Sequence, residues 1–144
     1  MFRNKKGFTL IELLVVIGIL AVLLAITLIA VNPAQNLQDA DDTKRRSDVN
    51  AILNAVNQYM VDNNGVVTGL SIPAVETAIS DTAVDLCPLV PTYIAALPQD
   101  PASLNGADID CTGAYTSGYT ISATNNRVTV YAPGANTPPI QVTR

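Results

Sequence analysis

Glu12 is the only ionisable side chain in an apolar run from residue 8 to residue 31. A carboxylate in hydrocarbon costs about 2.5–3.5 kcal/mol on insertion scales, so a segment that merely anchors has no use for one. The run contains no Lys, Arg or His, and a cationic or hydrogen-bonding partner for Glu12 is therefore expected from outside the side chains of this helix. Cys87 and Cys111, the only two cysteines, form a second reactive pair. A third group is Asp100, Asn105, Asp108 and Asp110, which crowd one loop with oxygen donors of the kind that ligate Ca²⁺, though not at EF-hand spacing. Histidine is absent, and no phosphate-cradling glycine loop, Cys/His pair or metal-ligand spacing occurs. The chain does not read as an enzyme.

The element that positions Glu12 is defined by length and composition. The run from 8 to 31 interrupts its apolar residues with one acid, two threonines and one glycine. As a helix it would extend about 36 Å, more than the ~30 Å hydrocarbon core of a bilayer. A buried core helix is the alternative, but the rest of a 144-residue chain is too small to wrap it. Arg3, Lys5 and Lys6 precede the run and Asp39, Asp41 and Asp42 follow it. Positive-inside bias then leaves the N-terminus in the cytoplasm and sends residues after about 32 outward. An ordinary secretory signal is excluded because the run is too long for an h-region and no A-x-A-like site follows. The outer compartment permits oxidation, so a disulfide is predicted between Cys87 and Cys111, with two buried thiols as the alternative. It would close a loop of about 25 residues and stabilise by roughly 3 kcal/mol in the chain-entropy model.

Beyond the membrane the helix is expected to continue after a kink at Asn32-Pro33, where proline removes the bond to the Ile29 carbonyl. Val49, Ile52, Leu53, Val56, Tyr59 and Met60 then recur at helical spacing, with Asp48, Asn50, Asn54 and Asn57 assigned to the opposite, solvated side. Lys44-Arg45-Arg46 reads as part of a solvated face, paired with Asp41, Asp42 or Asp48 or with a neighbouring subunit. Asn63-Asn64-Gly65 is a stop signal. A short helix is expected from Ser71-Ile72-Pro73-Ala74, with Val75 and Ile79 inward. Pro88, Pro91, Pro98 and Pro101 make residues 87–101 an extended loop. Residues 119–123 and 127–131 flank Asn125-Asn126 as a type I′ hairpin with Tyr119, Ile121, Ala123, Val128 and Val130 on one face. That face should pack on the helical stripe, with a further strand near 114–117 or 140–143 completing a small antiparallel sheet.

The segment Lys6-Gly7-Phe8-Thr9-Leu10-Ile11-Glu12-Leu13 resembles the type III signal of type IV prepilins and pseudopilins. The basic leader, the glycine, the following phenylalanine, the glutamate fifth after the cut and the continuing apolar helix all agree. The resemblance implies that a prepilin peptidase/N-methyltransferase cuts after Gly7, that Phe8 becomes the methylated N-terminus and that Glu12 serves filament assembly. By this likeness Glu12 meets the Phe8 amine of a neighbour, and Pro33 is the helix breaker of the pilin stalk. Leu97-Pro98-Gln99-Asp100-Pro101 is similar to a Leu-Pro-x-Asp-Pro segment of pilin and pseudopilin domains. The disulfide resembles the loop-closing bridge of many pilins, which often lies nearer the C-terminus. Major pseudopilins carry a calcium loop in the region of Asp100, Asn105, Asp108 and Asp110; otherwise no cofactor is implied.

The expected fold is α+β: a long N-terminal transmembrane and amphipathic helix packed on a small antiparallel sheet, the pilin ladle. Its parts are a leader (1–7), a transmembrane and filament-core helix (8–31), an amphipathic continuation (32–62) and a small β domain (63–144) with the loop 87–111. Loss of the leader leaves five Lys/Arg against twelve Asp/Glu, a net charge of −7. Nucleic acid, which needs clustered cations, is not an expected partner. The expected partners are other copies of the chain, the peptidase, the membrane before assembly, and an assembly platform with its ATPase. The leading expectation is a type IV pilus subunit for adhesion, motility or uptake. It would be stored in the bacterial inner membrane and then incorporated into an extracellular filament. A pseudopilin of a type II secretion system, forming a periplasmic pseudopilus, is the first alternative. A minor tip pilin binding DNA or a surface is the second.

Overall fold

The computed structural model describes residues 7–103 and 106–144. The chain divides into two compact units, the first ending at Leu37 and the second spanning Gln38–Arg144. Helix α1 covers Leu10–Val31 and buries none of its residues. Leu10 is 80% exposed and Ile29 83%, so this apolar surface needs lipid or other protein to cover it. Asn32, at φ 39°, ends α1 in the left-handed region, and α2 begins at Pro33 and runs to Asp62. The Asn36 side-chain amide donates to the Val31 carbonyl at 3.0 Å, so one acceptor released by the break is satisfied locally. α2 ends where Gly65 N–H returns to the Met60 carbonyl at 2.7 Å, with Asn64 and Gly65 at positive φ.

In the second unit, four antiparallel strands lie side by side in chain order: β1 (Thr77–Ser80), β2 (Thr116–Thr124), β3 (Arg127–Tyr131) and β4 (Gln141–Thr143). The hairpin has the expected register, Thr124 opposite Arg127, with Asn125 and Asn126 at φ 51° and 63°. Tyr119, Ile121, Val128 and Val130 are buried against Val49, Ile52, Leu53 and Val56 of α2, while Ala123, Tyr59 and Met60 flank this core half-buried. The distal part of α2 therefore lies on the sheet, and the fold is α+β.

Several expectations are corrected. No helix forms at residues 71–79: Val75 is 75% exposed and Ile79 is a buried residue of β1. Thr77 and Ala78 pair with Ile121 and Thr120 of β2, which satisfies backbone groups a lone helical turn would have left open. Of the two places expected for a further strand, 140–143 holds β4, whereas residues 116 and 117 extend β2; β1 is a further strand that was not expected. Residues 87–101 are not extended throughout. A short 3₁₀ turn occupies Cys87–Leu89, and Tyr93 N–H bonds to the Leu89 carbonyl at 2.8 Å. Asp48, assigned to the solvated side of α2, is 9% exposed and accepts the Tyr119 hydroxyl at 2.8 Å.

Gly118 shows how closely the sheet approaches the loop before it. Its φ is +83°, and a Cβ built there would sit 2.7 Å from the Asp100 Cβ. Gly118→Ala is expected to destabilise the second unit by about 2–4 kcal/mol through both strain and overlap. Denaturant unfolding checks this, and a change below 0.5 kcal/mol would contradict the packing.

Candidate functional site: the N-terminal helix and the clamp on its continuation

Thr9 caps α1 from an extended conformation (φ −82°, ψ 153°) and forms a reciprocal capping box with Glu12. The Glu12 Oε2 accepts the Thr9 backbone N–H and the Thr9 hydroxyl, both at 2.7 Å, while the Thr9 Oγ1 accepts Glu12 N–H at 3.3 Å. Glu12 therefore has partners within its own segment, contrary to the expectation that they come from elsewhere. The spacing Thr9-Leu10-Ile11-Glu12 is the capping-box signature and could have revealed them. Both bonds come from neutral donors, and among the described residues no cation pairs with the carboxylate. Phe8 is 83% exposed and lines, with Ile11, Glu12, Val15 and Val16, an open apolar groove. Gly7 is exposed, with nothing within 4 Å of an added Cβ. The leader residues before it lie outside the described residues.

A second constellation belongs to the Gln38–Arg144 unit. Arg45 is 2% exposed, so the basic cluster of α2 is not a uniformly solvated face. Its Nε and Nη2 donate to Asp100 Oδ2 and Oδ1 at 2.7 and 2.9 Å, and its Nη1 donates to Asp42 Oδ1 at 2.9 Å. Asp42 also accepts the backbone N–H groups of Asn136 and Thr137 at 2.9 and 2.8 Å. Burial opposes ionisation of Asp42, but the bonds from Asn136, Arg45 and Thr137 outweigh it and hold the pKa down to about 2. Burial likewise disfavours the Asp100 carboxylate, and Arg45 overrides it so that the pKa is lowered. Lys44 pairs with Asp48 at 3.0 Å, while Arg46 is exposed. The arrangement clamps the segments around Asp100 and Asn136 onto α2. The sequence offered Asp41, Asp42 or Asp48 as partners; Asp42 and Asp48 form ion pairs, Asp41 is in none of those among the described residues, and Asp100, 55 residues from Arg45, was missed. The Leu-Pro-x-Asp-Pro segment was its only signal.

Cys87 and Cys111 are joined in a disulfide with Cα atoms 5.7 Å apart, so the thiol alternative is set aside. The four oxygen donors considered for calcium have separate surroundings. Asp100 belongs to the clamp, Asp108 is exposed, and Asp110 accepts Thr112 N–H and Oγ1–H at 2.9 and 2.8 Å. Asn105 lies outside the described residues. Among the described residues no three acidic, Cys or His side chains come together as a metal-binding group.

These features, an apolar N-terminal helix beginning at Leu10 under a Thr9 cap and an amphipathic continuation on a four-stranded sheet, define the class. The family described as the prokaryotic N-terminal methylation motif matches residues 2–28. The type II secretion system core protein G of Aeromonas hydrophila is 36% identical over 107 residues, covering 69% of this chain and 68% of that protein. Its counterpart in Escherichia coli is 36% identical over 103 residues, covering 68% and 67%. The type IV wide pilus major component PilA4 of Thermus thermophilus is 42% identical over 62 residues, 43% of this chain and 46% of that protein. No solved structure gives a significant match. The chain belongs to the type IV pilin and pseudopilin family.

Proposed function

We propose that this chain is a pseudopilin of a type II secretion system. It is anchored in the inner membrane by α1, cut after Gly7, methylated on Phe8 and polymerised through its N-terminal helix into a periplasmic filament. The observation that carries this reading is the reach of the similarity to core protein G. The whole helical stretch Leu10–Asp62 has 53 residues, so an alignment of 107 must enter the sheet-bearing part of the unit. This changes the order of preference given by the sequence, which put a pilus first. An extracellular type IV pilus remains the second reading, favoured by the 42% identity to a wide-pilus component. In either assembly the chain is a structural subunit that depends on a peptidase, a platform and an ATPase supplied by other proteins.

Deleting the chain separates the readings. The secretion reading expects exported proteins to accumulate in the periplasm while surface pili persist. Normal secretion with loss of surface filaments would overturn it in favour of the pilus.

A further inference from the structure

Exposed charge is unevenly placed along the sheet of the Gln38–Arg144 unit. Where β2 begins, Asp81 N–H bonds to the Tyr115 carbonyl, Asp85 accepts the Tyr115 hydroxyl at 2.8 Å, and Asp108 and Asp110 line a hollow with Tyr115. All four acids are exposed. Past the other end of β2, beyond the Asn125-Asn126 turn, Arg127 is exposed and belongs to none of the ion pairs among the described residues. It lines a shallow depression with Asn125, Thr129 and Tyr131 that contains donors and hydroxyls but no carboxylate. β2 is nine residues long, which at ~3.4 Å per residue separates the two ends by roughly 27 Å.

The other cations after Gly7 are engaged or surrounded differently. Lys44 and Arg45 are tied to acids, Arg46 shares a pocket with Asp39 and Asp42, and Arg144 donates to Asn54 at 2.7 Å. Counted from Phe8, each subunit carries a net −7. Copies packed within the ~8 Å Debye length of physiological salt repel unless cation meets acid at the contact.

We infer that the Arg127 end of one copy receives the Asp81, Asp85, Asp108 and Asp110 end of a second copy. The inference rests on the filament reading above and adds the contact between globular parts. Because the two surfaces differ and lie at opposite ends, the contact is heterologous and propagates along a filament instead of closing into a pair.

The test uses the full-length chain in the producing cell. Arg127→Glu is expected to lower filament yield about fivefold, and Asp108→Arg with Asp110→Arg in the same chain to restore most of it. All variants should retain the Cys87–Cys111 bond, which reports an intact fold. Among the described residues the chain has no free thiol, so Arg127→Cys with Asp108→Cys should give an oxidant-dependent ladder of multimers, whereas Arg127→Cys with Arg46→Cys should not. Wild-type yield from Arg127→Glu, or absence of the ladder while wild-type filaments form, overturns this contact alone. Absence of any filament from the wild-type chain overturns the filament reading and this contact with it.

Discussion

Chains carrying Glu12→Ala are expected to insert and lose their leader normally, yet to yield at least tenfold fewer filaments than wild type. The capping box supplies the Glu12 carboxylate with two Thr9 donors, which eases its burial in lipid without neutralising it. On the proposed assembly, cleavage creates an amine at Phe8 with an ordinary pKa near 7.7–8, and that cation is a stronger partner than a hydroxyl. Removing the carboxylate leaves a neighbour's amine unpaired among packed apolar helices, a defect of several kcal/mol, and 1.4 kcal/mol already corresponds to a factor of ten. Glu12→Gln separates charge from hydrogen bonding, since it keeps the shape and an acceptor for Thr9. It should fail like the alanine variant. The measurement is the ratio of sheared or pelleted filaments to cleaved, membrane-held subunit. A normal ratio for both variants would sink the assignment.

The second large effect concerns stability. Arg45→Ala should destabilise the Gln38–Arg144 unit by about 3–5 kcal/mol, because it leaves Asp42 and Asp100, 4% and 3% exposed, without their shared cation. For a unit of this size that amounts to a fall of roughly 15 °C or more in Tm. Arg46→Ala, one residue away but exposed, should change stability by less than ~0.5 kcal/mol. Arg45→Met combined with Asp42→Asn and Asp100→Asn should recover part of the loss, since it removes the buried charges together. Acid should reproduce the defect. Both carboxyls have pKa values lowered by folding, so their contribution is complete above their unfolded values near 3.8 and disappears as pH falls toward the folded value, about 2 for Asp42. Thermal melts across pH 5 to 2 check this; Arg45→Ala should lose the Asp100 share of the acid dependence, while Asp42 keeps the bonds from Asn136 and Thr137.

Most of this architecture was legible in the sequence where the signal was local. The apolar run, the stop at Asn63-Asn64-Gly65, the stripe on α2 and the Asn125-Asn126 hairpin all rest on periodicity and turn chemistry within a dozen residues. The capping box is equally local, carried by the Thr9-Leu10-Ile11-Glu12 spacing. Residues 71–79 were misread because β1 is just four residues long and draws its order from β2, about forty residues later. The disulfide was inferred from cysteine count and compartment, without geometry.

Local composition alone was enough for the N-terminal segment: an apolar helix with one carboxylate, and charged residues on either side of it. Composition and helical spacing are sufficient for that because α1 buries none of its residues and so owes its form to local sequence. Only the tertiary structure decided which polar side chains of α2 face inward. Arg45 lies four residues before Val49 and seven before Ile52, within the apolar face of α2, and Asp48 lies at its edge, four before Ile52; burial of these charges there is stable only with Asp42 one turn away and with Asp100 and Tyr119 brought in from the rest of the unit. A buried charge is defined by its partners, and those partners are brought together by folding.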